Sequence, residues 1–333
     1  MNQPAAKLSG ITFTLGVVAA LLFLHGTVHA QGTADYPGKA ISIIAGYPPG
    51  TATDIVARLI CERLAVRLGK PCVIDNKPGQ SGGIGAAIAA QAVPDGHTLL
   101  VSGTATLAIN PSLYPKLAYD ARRDFAPVGP ATWLPYALVT NPRTGFNTVP
   151  ELIARAHANP GKLSYASIGN GSTSHLLMSM LLQQTGMNIV HIPYKGSAQS
   201  QTDLIAGQVD LTFDTLLTVT PHVKSGRLKA LATSGKARSP FAPDIPTLQE
   251  QGVTGYDAGA WLGLFAPAAT PRPIVERLNR ELNLILAEPE TRKRLFDQGS
   301  EPLSSSSEEF TAFIASEVTR WGQRVRDSGA KIE

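Results

Sequence analysis

The sequence predicts an α/β protein of two lobes around a ligand cleft, on three observations. Short β-branched runs alternate with helical patterns, as in β-α-β construction. That alternation occurs twice, once before and once after about Tyr136. And 333 residues is more than a single core usually serves.

The first unit opens on the apolar run 40–46, which reads as a buried strand broken by Tyr47-Pro48-Pro49-Gly50. A helix follows from Asp54, with Ile55, Leu59, Leu64 and Leu68 on one face and Gly69 then Pro71 at its end. Cys72-Val73-Ile74 is a strand, 77–85 a Gly-rich loop and 85–91 an Ala-rich helix. After the turn Pro94-Asp95-Gly96 comes a strand over 97–102. In the second unit, strands are expected at 136–140, 163–167, 188–192, 209–213 and 228–233. Helices are expected at 149–158, 172–182 and 199–206. The run 261–266 is apolar again, and amphipathic helices at 272–286 and 308–326 close the chain. Crossings near Tyr136 and Ala258 divide it into domain 1, residues 31–136 plus 258–333, and domain 2, residues 137–257.

Residues 1–30 read as a signal peptide: Lys7, the apolar run 11–24, then Val28-His29-Ala30 as a cleavage site. The run is shorter than the ~20 residues that span a bilayer. The alternative is an uncleaved anchor. Cleavage predicts a periplasmic product beginning near Gln31.

The formal charge is +4, and its contributors are interspersed, so no nucleic-acid footprint is expected. Cys61 and Cys72 stay open between a disulfide and two buried thiols. No CxxC, zinc spacing, Walker loop or HExxH occurs, and no metal or cofactor is expected.

Five loops at the carboxyl ends of predicted strands carry the chemistry, where open α/β sheets hold ligands. The first is 47–54, with Tyr47, Gly50, Thr51, Thr53 and Asp54 at a helix start. Free amides and the helix dipole favour an anion there. Alternatively, Thr53 or Asp54 simply caps the helix. The second is 167–175, with Ser167, Asn170, Ser172 and Thr173. The third presents Ser102, Thr104 and Thr106; the fourth, Tyr194 to Ser197, presents Lys195; the fifth presents Asp214 and Thr215. Together they predict a cleft of hydroxyls and amides suited to a carboxylate.

Gly79-Gln80-Ser81-Gly82-Gly83 matches the serine-hydrolase elbow pattern. Its loop is long and loose, no histidine is singled out as partner, and chance explains the match. A Ser81 hydrolase is the enzyme alternative; the expectation is a binding protein, not an enzyme.

At Tyr47 to Asp54, Ile74 to Gly79, Pro94 to Leu100, Asn110 to Tyr114, Asn159 to Leu163, His191 to Gly196 and Pro243 to Thr247, the chain resembles the Bug-type receptors of tripartite tricarboxylate transporters. The resemblance spans nearly everything after Tyr36. It implies a periplasmic Venus-flytrap fold of type II kind, closing on a di- or tricarboxylate, an acidic amino acid or an aromatic acid. It also implies delivery to a membrane permease and a monomeric receptor; a sensor kinase is the alternative partner. It places the carboxylate between Gly50, Thr51, Thr53 and Asp54 on one side and Ser172, Thr173 and Asp214 on the other. Where the family commonly has paired glycines, this chain has Gly50-Thr51, so Thr51 is expected to narrow the pocket or to replace a bridging water. Tyr47 matches a common aromatic position.

Overall fold

The computed structural model describes Met1 and residues 36–330; the expected signal peptide and cleavage site lie outside the described residues. Among the described residues eleven strands form two sheets. The first contains β1 (Ile41–Ala45), β2 (Cys72–Asn76), β3 (Thr98–Gly103), β4 (Phe125–Leu134), β10 (Ala260–Pro267) and β11 (Glu301–Pro302), in the order β11-β4-β10-β3-β1-β2. The second contains β5 (Tyr136–Thr140), β6 (Ser164–Ser167), β7 (Val190–Pro193), β8 (Leu211–Thr215) and β9 (Lys229–Thr233), in the order β7-β6-β8-β5-β9.

The chain leaves the first sheet after Leu134 and enters the second at Tyr136, then returns between Thr233 and Ala260. The two passages touch. Ser234 donates its amide to the Tyr136 carbonyl at 3.0 Å and its hydroxyl to the Ala258 carbonyl at 2.6 Å. The Ala258 amide donates back to the Ser234 carbonyl at 2.8 Å.

The sheets are mixed rather than parallel. β1 pairs in parallel with β2 and β3, and β6 with β7 and β8. Single strands beside the passages run the other way: β10, antiparallel to both β3 and β4, in the first sheet, and β5, antiparallel to both β8 and β9, in the second.

Helix α1 (Ala52–Leu68) buries Val56, Leu59, Ile60 and Leu64. It begins earlier than its apolar pattern suggests, because Thr51 is the N-cap and accepts the Asp54 amide. Gly69 closes it in the left-handed conformation. Helix α2 (Gly83–Ala90) follows a single 3-10 turn, and β3 runs into a π-helical segment, Thr104–Ile109, then α3 (Asn110–Leu113). The second sheet is flanked by α4 (Val149–Ala158), α5 (Thr173–Thr185), α6 (Ser197–Ala206) and α7 (Leu216–Lys224). Its core joins Ala137, Val139, Ala166, Leu204, Val209, Leu216, Val219 and Leu228.

The chain ends in α8 (Arg272–Ala287), α9 (Pro289–Asp297) and α10 (Ser307–Ser328). These pack on elements of the first sheet. Arg67 of α1 holds Glu281 of α8 at 2.8 Å, and Ser307 donates to the Val128 carbonyl of β4 at 2.9 Å. Glu317 of α10 is buried, yet its carboxylate accepts both indoles, Trp261 and Trp321, and pairs with Arg320. Its charge is thereby matched within the core.

Cys61 and Cys72 are joined in a disulfide, which settles the open alternative and ties the middle of α1 to the start of β2. Their separation is 11 residues. Closing a loop of that size is worth about 3 kcal/mol. Replacing both with Ala should lower stability by about that amount, visible as an earlier urea midpoint. An unchanged midpoint would mean that the bridge constrains nothing.

Candidate functional site

The β1–α1 corner is set by three choices in the sequence. Gly50 has φ of +81°, a conformation that costs side-chain-bearing residues but not glycine. Its amide donates to Asp54 at 3.0 Å. Thr51 donates its hydroxyl to the Pro48 carbonyl at 2.9 Å while accepting the Asp54 amide. The Thr51 hydroxyl hydrogen is thus already committed; its methyl group lies where a Cβ on Gly196 would touch it.

An enclosed cavity lies beside this corner, with about 40 Å³ open to the centre of a water molecule. A single water needs roughly 10–15 Å³ by that measure. Helix first turns converge on it: Ala52 and Thr53 of α1, Thr173 of α5, Ser197 of α6, and Thr215, the N-cap of α7. Ser102 comes from β3, Thr104 and Thr106 from the π-helical segment that follows it, and Trp261 and Leu262 from β10. Helix N-termini present amides that have no intrahelical partner and the positive end of the dipole. Among the lining residues the only charged side chain is Asp214; none is Lys, Arg or His.

Nine sequence-predicted residues meet around this space: Tyr47, Thr51, Thr53, Ser102, Thr104, Thr106, Thr173, Asp214 and Thr215. Several hydroxyls among them already have structural partners: Thr51 is committed as above, and Thr215 shares a hydrogen bond with Thr218 at 3.1 Å. Thr104 accepts the Trp261 amide at 2.8 Å, and Thr106 donates to the Ser81 carbonyl at 2.9 Å. Tyr47 is buried, and burial, only partly opposed by a bond with Ser81, pushes its phenol well up. It is a neutral donor.

Six predicted residues do not line this cavity, each for a physical reason. Gly50 shapes the turn. Asp54 is consumed by structure: burial opposes its ionisation, but Arg58, the Gly50 amide and Asn76 together hold its carboxyl below the usual range. Ser172 caps α5 and bonds the Gly169 carbonyl and Ser174. Ser167 bonds His191 at 2.7 Å. Asn170 and Lys195 line a second, outer cavity of about 390 Å³. Tyr47 and Ile168 line both cavities. The Asn170 carbonyl accepts two bonds from residues that follow strands of the first sheet, Ser81 at 2.7 Å and Tyr114 at 2.9 Å.

Ser197, Ala52, Tyr136, Ile168 and Trp261 line the cavity without having been singled out in sequence. Ser197 had a usable signal, since it follows Gly196 and opens a helix. The others look like core residues and offered none. Ser81 has φ of +47° and donates to the Asn170 backbone; no histidine lines either cavity beside it.

Behind the second loop, the rings of His175 and His191 stack at 4.3 Å, and Tyr165 stacks on His191 at 4.7 Å. Burial pushes both imidazoles down to about 4, with the neighbouring His175 adding to the effect on His191. His175 Nδ1 accepts the Gly171 amide at 3.2 Å, which requires that nitrogen to be unprotonated. An unfolded histidine titrates near 6.5, so between pH 6.5 and 4 the unfolded chain binds more protons than the folded one. The stabilisation is therefore full above about 6.5 and is lost as pH falls towards 4. The urea midpoint should drop steadily through that window, and a flat profile would contradict the buried neutral pair.

The fold and this cavity define a class. Rpa4515 of Rhodopseudomonas palustris, solved with adipate, superposes with a TM-score of 0.87 at 33% identity over 90% of this chain and 100% of that one. MatC (Rpa3494) from the same organism, with bound malate, gives 0.83 at 32% identity over 87% and 100%. The protein has the two-domain fold of periplasmic solute-binding proteins. BugT of Bordetella pertussis is 35% identical over 324 residues, 97% of this chain and 99% of BugT. Residues 56–330 match the tripartite tricarboxylate transporter family receptor, and the chain belongs to that family. It is a solute-binding receptor, not an enzyme. Among the described residues no helix is long and apolar enough to cross a membrane.

Proposed function

We propose that this receptor captures a small carboxylate in the enclosed cavity, by closure of two lobes, and hands it to a membrane permease. The observation that carries the reading is the convergence of helix N-termini on a space lined by hydroxyls and free of cationic side chains. Such a site stabilises an anion through many partial charges rather than one ion pair. The adipate and malate bound by two structural relatives support the same ligand class. The ligand-binding groups are Thr53, Ser102, Thr104, Thr173, Ser197 and Thr215, with Tyr47 bounding the distal side. Lys195 and Asn170 meet whatever part of the ligand reaches the outer cavity.

In this reading the lobes are residues 31–136 plus 258–333 and residues 137–257, which is supported by the chain passing between sheets at those points. The product works in the periplasm after loss of residues 1–30.

The test is a thermal-shift screen of the purified protein against citrate, malate, succinate, aspartate, glutamate, nicotinate, benzoate and terephthalate. An acid at about 100 times its Kd adds about 2.7 kcal/mol, a shift of a few degrees in a chain of this size. A shift with at least one acid supports the reading. No shift with any, after unfolding and refolding to strip bound ligand, removes it.

A further inference from the structure

Asp214 is an unusual group to find in an anion site. It is 1% exposed and lines the cavity. Its Oδ1 accepts the Thr215 amide at 2.8 Å, and its Oδ2 accepts the Gln201 side chain at 2.9 Å. Its hydrogen-bond partners are all neutral. α6 presents Ser197 and Gln201, and α7 presents Thr218 after Thr215. On β5, Tyr136 is the titratable neighbour; burial first, and the Asp214 charge second, push its phenol well up. Tyr47 closes the cavity from the first lobe. α5 contributes Thr173, while its histidine, His175, is turned to the Gly171 amide.

An ionised carboxylate here and a ligand carboxylate in the same enclosed space would repel each other at close range, with no cation between them. Like charges sharing a buried site do not both ionise; one holds a proton. The ligand would also draw on the same helix ends that help Asp214 to stay charged. We propose that Asp214 takes up a proton from solvent when a carboxylate enters, so that the receptor binds each acid together with one proton. This rests on the carboxylate reading above. Protonation turns Asp214 from a repelling anion into a neutral group that can donate. Burial already raises the Asp214 carboxyl above its ordinary value, against the opposing pull of Gln201, the Thr215 amide, Ser197 and Thr218. The consequence is selectivity. Carboxylates without a cationic group bind with a proton, and affinity weakens as pH rises.

The experiment is titration calorimetry of the eight acids of the screen between pH 7 and 9, in buffers of different ionisation enthalpy, with wild type and Asp214→Asn. The Asn variant is isosteric; its amide can face a flipped Gln201, so the local bonds are retained. In wild type, uptake should approach one proton per acid, and affinity should fall by up to about tenfold per pH unit. Asp214→Asn should bind with affinity independent of pH and exceed wild type at pH 9. If acids bind to wild type with no proton uptake at any of these pH values, the inference is overturned and the carboxylate reading stands. A loss of binding in a folded Asp214→Asn, with no uptake in wild type, assigns an ionised Asp214 to a ligand ammonium instead. Heat from none of the acids removes the carboxylate reading, and this inference with it. Should the variant not fold, the wild-type proton count decides alone.

Discussion

Thr53→Asp is expected to abolish capture of carboxylates, with affinity falling at least 100-fold, while leaving the fold intact. Thr53 is the second residue of α1, 7% exposed, and lines the cavity. A carboxylate in the first turn of a helix is favourable, because it meets the free amides and the positive end of the dipole. The substitution therefore places a tethered anion in the space proposed for the ligand. An incoming acid would meet both that charge and Asp214. Thr53→Val keeps the shape and removes only the hydroxyl, which should cost about 1 kcal/mol, roughly fivefold. Calorimetry on both variants, with melting curves to verify folding, is the check. Binding retained in Thr53→Asp would move the ligand away from α1.

The second large effect is on stability. Gly103→Ala should cost at least about 3 kcal/mol, the severe end of overpacking. Gly103 ends β3 with φ of −174°, an ordinary extended conformation, so its backbone does not demand glycine. The space does. A Cβ there would lie 1.8 Å from the Trp261 carbonyl oxygen. Rotating a side chain cannot relieve contact with a backbone atom, so β10 must move away from β3. That movement strains the Trp261 amide bond to Thr104 and the packing of the Trp261 ring against Phe310 and Phe313. Gly226→Ala is the comparison. It has φ of +70° and nothing within 4 Å, so only a backbone penalty of about 1 kcal/mol applies. Guanidinium midpoints separate the two, and equal costs would refute the steric account.

The strand–loop–helix corners are legible in the sequence because each places Gly, Ser, Thr or Asp directly after an apolar run. That is why the loops at 47–54, 102–106 and 213–215 were found, and why they share one cavity. β4 was not legible. Pro127 and Pro130 interrupt its apolar run, and proline ordinarily argues against a strand inside a sheet. The structure accommodates them because β11 pairs only with Thr132 and Trp133, leaving the rest of that edge open. Register shifts at Leu262/Gly263 and Leu264/Phe265 absorb the mismatch on the other side, towards β10. Asn279 and Ser307 then bond the buried Val128 carbonyl. α9 escaped notice because Pro289 to Asp297 is short and mostly charged, with no apolar stripe to read. In the site, polar residues in loops stood out, whereas Tyr136 and Trp261 did not. Their aromatic side chains look the same in sequence whether they face a core or a ligand. Roles were harder still. Ser172 caps α5 as its place before the helix predicts, but that Thr51, rather than Thr53 or Asp54, caps α1 depends on hydrogen-bond directions no sequence pattern carries.

The two passages between the sheets are bonded side by side through Ser234, Tyr136 and Ala258. Two strands that cross a boundary far apart would lock it; two crossing at one place leave a single line about which the parts can turn. Sliding and splaying would break those bonds, whereas turning keeps them. If the proposed lobes close about that line, the motion has one coordinate, an angle, and the helix ends of both would reach a solute in one concerted arrival rather than one after another.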